Sequence, residues 1–327
     1  MNKIKALGLL SILFSVNHSI ADELGLDHPD FKPINALKSY HSGSSELNSL
    51  SNKIKGSLET SQKCSSTLIN NIKNLTSNRG LADEAHFFLG ICKELDGDNG
   101  NAIQEYKASL NLKKSNKEAV FRLAYLNLLN KNYQDTLNLS DEALWMNYEN
   151  PTLPKYLKAV SYSMLNNLDN AKKNLDDLEK NNSKFLPALG LRRKLLVEEI
   201  AKTSDPSKKK ALRDSYNQLL PKLLANEPQN KSYSLEYART LLSIGHPLHN
   251  PNALNQGLAI IRKFSRVNNQ VDDAFLLLEI QFLEQQGKFT EAKGILDQLA
   301  SANPLSPGIE YKRIELTTKL NPDSAPE

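Results

Sequence analysis

The sequence predicts an all-α fold built from repeated antiparallel helix pairs, and three observations carry that prediction. β-branched runs are short and nowhere alternate cleanly with polar residues, so strand signals are scarce. Apolar residues recur at helical spacing, most clearly at Ala85, Phe88, Leu89, Cys92 and Leu95, and again at Phe275, Leu278 and Phe282. The pattern itself then repeats. Leu123-Ala124 stands 34 residues after Leu89-Gly90, Thr136 takes the place of Ala102, and 35 residues further on Ala159 and Ala171 recover the same two positions. A fixed period of this length means that each unit is one helix pair, which buries its apolar side only by stacking on its neighbours.

The elements follow in order. Lys3 and Lys5 precede an apolar stretch from Ala6 to Val16, and Ser19-Ile20-Ala21 offers the small-x-small pattern of a cleavage site. The stretch is shorter than the ~20 residues of a membrane span. Residues 1–21 therefore read as a signal peptide, with an uncleaved anchor as the alternative. The mature chain is expected to start near Asp22, outside the cytoplasm, with the periplasm ahead of secretion. Residues 22–43 carry two prolines and no helical stripe beyond "INALKSY", and are expected to form an extended arm that is loose or lies along the repeats. Residues 44–79 are expected to be an N-terminal helical segment.

From Glu84 the repeated units begin. "EAHFFLGICKELDGDNGNAIQEYKASLNL" places Gly97 and Gly100 in the turn between two helices, and "EAVFRLAYLNLLNKNYQDTLNLSDEALWM" and "YLKAVSYSMLNNLDNAKKNLDDLEK" repeat the design. "AFLLLEIQFLEQQGKFTEAKGILDQLASANP" repeats it once more, with Ala292 as the small residue and Pro304 closing the unit. On these residues the chain resembles the tetratricopeptide repeat (TPR) family over roughly residues 80–304. The resemblance implies a right-handed α-solenoid in which small residues permit close helix approach. Between the strong units the match loosens. Residues 185–228 fit an elongated pair with a loop at Thr203–Ser207 and a second helix that Pro221 should kink or shorten. "GHPLHNPN" is expected to interrupt the next unit. Ser306-Pro307 reads as an N-cap and first-turn proline of a capping helix over 305–320, and 321–327 as a disordered tail.

Only two cysteines occur, Cys64 and Cys92, and their midpoint, residue 78, falls in the turn-like stretch "TSNRG". Helices ending near Leu75 and starting near Leu81 would place the two cysteines opposite each other across a hairpin. Packed helices bring facing Cα atoms near the ~5.5 Å that a disulfide requires. An exported chain meets an oxidising compartment. Two buried thiols or a redox pair are the alternatives, although a redox pair normally has Cys-x-x-Cys spacing.

The formal charge is +4, and Lys3 and Lys5 are the only charges in residues 1–21, which leaves the mature chain at +2. Basic clusters at Arg192-Arg193-Lys194 and Lys208-Lys209-Lys210 stand among acids with no aromatic-basic groove motif, which argues against nucleic acid as a partner. "LDGDNGN" lacks the third oxygen ligand and closing Glu of a calcium loop. His246 and His249 are too few for a zinc site. No catalytic or phosphate-binding motif is present, so no enzyme activity and no cofactor is expected.

A stacked-helix array offers a long groove lined by the first helix of each unit. Phe87, Phe121 and Tyr156 are spaced 34 and 35 apart, and so occupy equivalent places in successive first helices. In the proteins this chain resembles, that face points into the groove, and the mapping adds Glu84, Ile91, Glu118, Tyr125, Leu128 and Val160. Such a ladder, flanked by carboxylates, suits a peptide or helix with apolar anchors. The rings equally suit packing against neighbouring helices. The arm, with Phe31 and Ile34, is a specific rival occupant. The function expected is an exported, non-catalytic scaffold for a protein or peptide partner, an envelope assembly factor or adaptor. The alternative is a secreted effector that engages a host protein through the same groove.

Overall fold

The computed structural model describes residues 24–38, 40–59, 63–248, 250–267, 270–302 and 307–320, with sixteen α-helices among them. The expected signal peptide, His249, Ser306 and the tail 321–327 lie outside the described residues. The only strands described are an antiparallel pair, β1 (Arg266–Val267) and β2 (Gln270–Val271), with Arg266 opposite Val271. The architecture is all-α and TPR-like, with helix pairs packed in chain order over residues 82–181 and 231–320. It divides between Leu195 and Leu196 into two compact units.

The N-terminal unit contains α1 (Asn35–Lys38), α2 (Ser45–Glu59), α3 (Ser66–Leu75), α4 (Ala82–Leu95), α5 (Asn99–Leu112), α6 (Lys117–Leu129), α7 (Tyr133–Trp145), α8 (Thr152–Met164), α9 (Leu168–Asn181) and the start of α10 (Leu186–Lys202). Three tight pairs, α4–α5, α6–α7 and α8–α9, form its body. Each pair turns in the same way. The first helix ends on a left-handed residue: Gly97 (φ 75°), Lys131 (φ 63°) or Asn166 (φ 57°). The next amide reaches back five positions, Asp98 to Lys93 O at 2.9 Å, Asn132 to Asn127 O at 2.8 Å and Asn167 to Tyr162 O at 2.8 Å. This is the Schellman closure, which satisfies carbonyls that a helix end would otherwise orphan. Asp98 and Asn167 then cap the second helix by accepting from Asn101 N and Asn170 N.

The small residues do what the repeat pattern requires. Gly90 on α4 faces Tyr106 on α5 so closely that a Cβ there would lie 2.5 Å from the ring. Ala124, Thr136, Ala159 and Ala171 are fully buried at the corresponding contacts. The disulfide forms between Cys64 and Cys92, with their Cα atoms 5.5 Å apart. One detail differs from expectation: Cys64 is not on a helix but directly precedes Ser65, the N-cap of α3, whose side chain accepts from Leu68 N. The buried stripe of α3 is therefore Leu68, Ile72 and Leu75 alone.

The C-terminal unit comprises the remainder of α10, α11 (Pro206–Asn226), α12 (Lys231–Leu248), α13 (Pro251–Ser265), α14 (Asp273–Gln285), α15 (Phe289–Ala302) and α16 (Pro307–Leu320). Asp205 caps α11, and Pro206 occupies its first turn. The shortening expected at Pro221 does not occur: α11 continues to Asn226, and Leu219, Leu220 and Leu223 are buried on either side of the proline. That burial outweighs one missing hydrogen bond. The interruption expected at "GHPLHNPN" is also shorter, since α12 runs to Leu248 and α13 begins at Pro251. Helices α12–α13 and α14–α15 pair, and α16 packs on α15 as the cap. A Cβ on Gly257 of α13 would lie 2.1 Å from Phe282 of α14, so glycine is what lets these two helices meet.

Candidate functional site: the first-helix face of the N-terminal unit

Phe87 on α4, Phe121 on α6 and Tyr156 on α8 are equivalent residues of successive first helices, and each is at most 1% exposed. Ile91, Leu128 and Val160 are buried as well, whereas Tyr125, Glu84 and Glu118 are half-buried. These residues therefore line no open apolar groove as the chain stands. Phe87 packs beside Phe88 and Tyr106, and Phe121 stacks on Tyr148 with centroids 4.6 Å apart. Tyr156 and Tyr125 are covered by the chain's own N-terminal segment.

That segment is not an extended arm. Gly25 adopts φ +62° and passes so close to Pro187 that a Cβ would lie 3.1 Å from that ring, so both the turn and the contact call for glycine. A 3₁₀ turn at Pro29–Phe31 follows, with His28 Nδ1 accepting from Asp30 N. Asn35 Nδ2 then donates to Pro29 O at 2.8 Å and Asp30 O at 2.9 Å, which ties the turn to α1. The result is a compact knot that buries Leu24, Leu26 and Phe31 against α6, α8 and the start of α10. The Phe31 ring lies among Tyr125, Tyr156 and Phe185, with centroid distances of 5.7, 5.8 and 6.4 Å. Ile34, the other anchor expected in the groove, is only half-buried.

Three side chains of this face hold the segment by its main chain. Arg122 Nη1 donates to Phe31 O, Tyr125 OH donates to Leu26 O at 3.1 Å, and Tyr156 OH donates to Leu24 O. Arg122 is 1% exposed, and a charge at that depth requires a partner. Glu94, 6% exposed, supplies it: Oε1 accepts from Arg122 Nη2, and Oε2 accepts from Arg122 Nε at 3.1 Å and from Tyr106 OH at 2.9 Å. The guanidinium also lies 4.5 Å from the Tyr125 ring centroid. Burial pulls its pKa down to about 10, which leaves it charged at neutral pH.

Beside the filled part an open pocket of about 240 Å³ remains, between Tyr40 and His41 of the segment's end and the first turns of α4 and α6. Its walls carry Asp83, Glu84, Glu118 and Glu149, with Lys113 and Lys117 between them. Lys113 lies 3.7 Å from Asp83, and Lys117 lies 3.3 Å from Glu149. Glu118 instead accepts from Tyr148 OH at 3.2 Å. Burial raises the Glu84 carboxyl against the opposing pull of Lys113. Burial likewise pushes Glu118 up to about 7, opposed by the Tyr148 bond and reinforced by Glu149. Among the described residues no group of three or more His, Cys, Asp or Glu side chains could hold a metal ion.

The raised Glu118 pKa has a defined sign. The folded chain holds this proton between pH 4.5 and about 7, where the unfolded chain releases it, so stability falls as pH rises through that window. Glu118→Gln keeps the Tyr148 bond and removes the charge. The variant should match the parent near pH 4 and exceed it by about 2–3 kcal/mol at pH 8. Urea unfolding at the two pH values measures this, and a pH-independent difference would refute it.

The sequence periodicity sets Phe87, Phe121 and Tyr156 on successive first helices, α4, α6 and α8, and names Tyr125 and Tyr156 as groove-lining rings, but it missed Arg122 and Glu94 and the bonds that the two tyrosines donate to the segment. Glu94 and Arg122 are 28 residues apart, and the three bonds to the segment span 91, 99 and 132 residues. No local pattern carries such pairings. The one available signal was a lone Arg among apolar residues in "EAVFRLAYL".

No family model matches the chain, and no curated protein sequence matches it. Among solved structures it is similar to a tetratricopeptide repeat protein from Parabacteroides merdae, at 15% identity over 85% of this chain and 100% of that one, with a TM-score of 0.46. The Naa15/Naa10 assembly bound to HypK shares 13% identity over 84% of this chain and 39% of that one, with a TM-score of 0.40. The assembly chaperone of RpL4, Acl4, shares 12% over 84% and 97% of the two chains, with a TM-score of 0.30.

Proposed function

We propose that this chain is an exported, non-catalytic scaffold that binds a protein or peptide partner through the first-helix face of its N-terminal unit, as an envelope assembly factor or adaptor. The observation that carries the reading is that this face already holds a peptide segment, gripped through main-chain carbonyls by Arg122, Tyr125 and Tyr156. Side-chain donors to main-chain carbonyls, together with pockets filled by apolar side chains, make a surface that can hold a peptide segment. Phe87, Ile91, Phe121, Leu128 and Val160 form the apolar floor of the site, and Glu84 and Glu118 its polar rim at the open pocket. Export is supported by the pattern of residues 1–21 and by the Cys64–Cys92 bond, which an oxidising compartment preserves.

Because the aromatic ladder is buried, alanine substitutions there would test the core rather than the surface. Photo-crosslinking residues at Glu84, Lys117 and Glu149 around the pocket are the better probe, compared with Trp145, which is 84% exposed at the end of α7. Exported protein should form partner adducts from the three pocket positions and not from Trp145. Adducts from Trp145 alone would move the working surface away from this face.

A further inference from the structure

We propose that residues 24–38 are a built-in competitor for this face, and that a partner binds by displacing them with a segment that presents main-chain carbonyls to Arg122, Tyr125 and Tyr156 and apolar side chains where Leu24, Leu26 and Phe31 now sit. The proposal rests on the scaffold reading above.

Three features support displacement over permanent packing. First, the hydrogen bonds that α6 and α8 make to the segment all end on main-chain carbonyls. Every peptide offers these, so the selectivity of the face resides in its apolar pockets, which take Leu24, Leu26 and Phe31, while Ala36 and Leu37 of α1 are buried in the cluster with Phe87 and Phe88. Second, the backbone bonds of the segment are all local. Phe31 N donates to His28 O, Leu37 N to Ile34 O and Tyr40 N to Leu37 O, and no backbone bond described for residues 24–40 reaches the repeat helices. The knot can leave without breaking a helix, which is the signature of a separately opening unit. Third, the receiving donor is organised without it. Glu94, itself held by the Tyr106 hydroxyl, fixes the Arg122 guanidinium from within the repeats, so departure of Phe31 O does not orphan the charge.

A tethered occupant acts at an effective concentration on the order of millimolar. A free peptide of equal quality therefore binds the intact chain poorly, and removing the tethered competitor exposes the full affinity of the site. Phe31 is the largest side chain the segment inserts, and Phe31→Asp weakens the resident segment without touching the face.

The test is fluorescence anisotropy of a labelled synthetic peptide, DELGLDHPDFKPINALK (residues 22–38), titrated with the full chain and with the Phe31→Asp chain. The variant should bind the peptide at least tenfold more tightly than the parent. A control peptide carrying the same Phe→Asp change should bind neither. Leu26→Ser serves as a second, milder release variant, and circular dichroism checks that each folds. Equal affinity for parent and variants, or no binding to folded variants, overturns the proposal. So does unfolding of the N-terminal unit by both substitutions, because the segment would then be an inseparable part of its core. Partner adducts from the pocket positions would survive any of these failures, so the scaffold reading stands or falls separately.

Discussion

Arg122→Met is expected to cost the N-terminal unit about 3–5 kcal/mol, the penalty for breaking a buried ion pair by removing one member. The variant leaves the Glu94 carboxylate, 6% exposed, with Tyr106 OH as its remaining partner, and takes the donor from Phe31 O. Glu94→Gln added to Arg122→Met should recover part of the loss, because the orphaned charge goes with it, so the two changes are non-additive. Urea unfolding followed by circular dichroism gives both numbers. A loss below about 1 kcal/mol would mean that water reaches the guanidinium and that the pair belongs to the surface class.

Reduction of the Cys64–Cys92 bond, or a Cys64→Ser/Cys92→Ser chain, should lower stability by about 3–4 kcal/mol. The bond closes a loop with a sequence separation of 28, and opening it restores the corresponding chain entropy to the unfolded state. For a unit of this size the thermal midpoint should fall by about 10 °C. Thermal melts with and without reductant measure the shift. Non-reducing peptide mass spectrometry should recover the two cysteines in one cross-linked species. A melt indifferent to reductant would show that the α3–α4 hairpin needs no staple.

What the sequence revealed and what it hid separate along one line, the range of the contacts involved. The helix pairs were legible because Gly90, Ala102, Ala124, Ala159 and Ala171 recur at a fixed period, and each acts on a helix only a turn away in sequence. The cysteine pairing was legible for the same reason, since a hairpin mirrors positions about its turn. The repeated Schellman turns were not read, because their left-handed residue is glycine at Gly97 but Lys131 and Asn166 in the next units. Composition does not mark a conformation that three different residues adopt. The knot of residues 24–38 was illegible as structure: Leu24, Leu26 and Phe31, which it buries against α6, α8 and the start of α10, have no helical period, and its side-chain bonds to the repeat helices span 91 residues or more. The period sets Phe87, Phe121 and Tyr156 on successive first helices, yet the cover over Tyr156 comes from that knot. The sequence named Phe31 as a rival occupant of the groove, and Phe31 is the residue found in the aromatic cage.

The most direct measurement of the central claim is amide hydrogen exchange on the intact, oxidised chain. If the face is a peptide site holding its own segment, the hydrogen-bonded amides of Phe31, Ala36 and Leu37 should exchange at least a hundredfold faster than those of Leu123–Leu128 in α6 and Leu157–Ser161 in α8, through an opening that leaves the repeats closed. Equal protection of the segment and these two helices would contradict the account and make residues 24–38 a permanent wall of the N-terminal core.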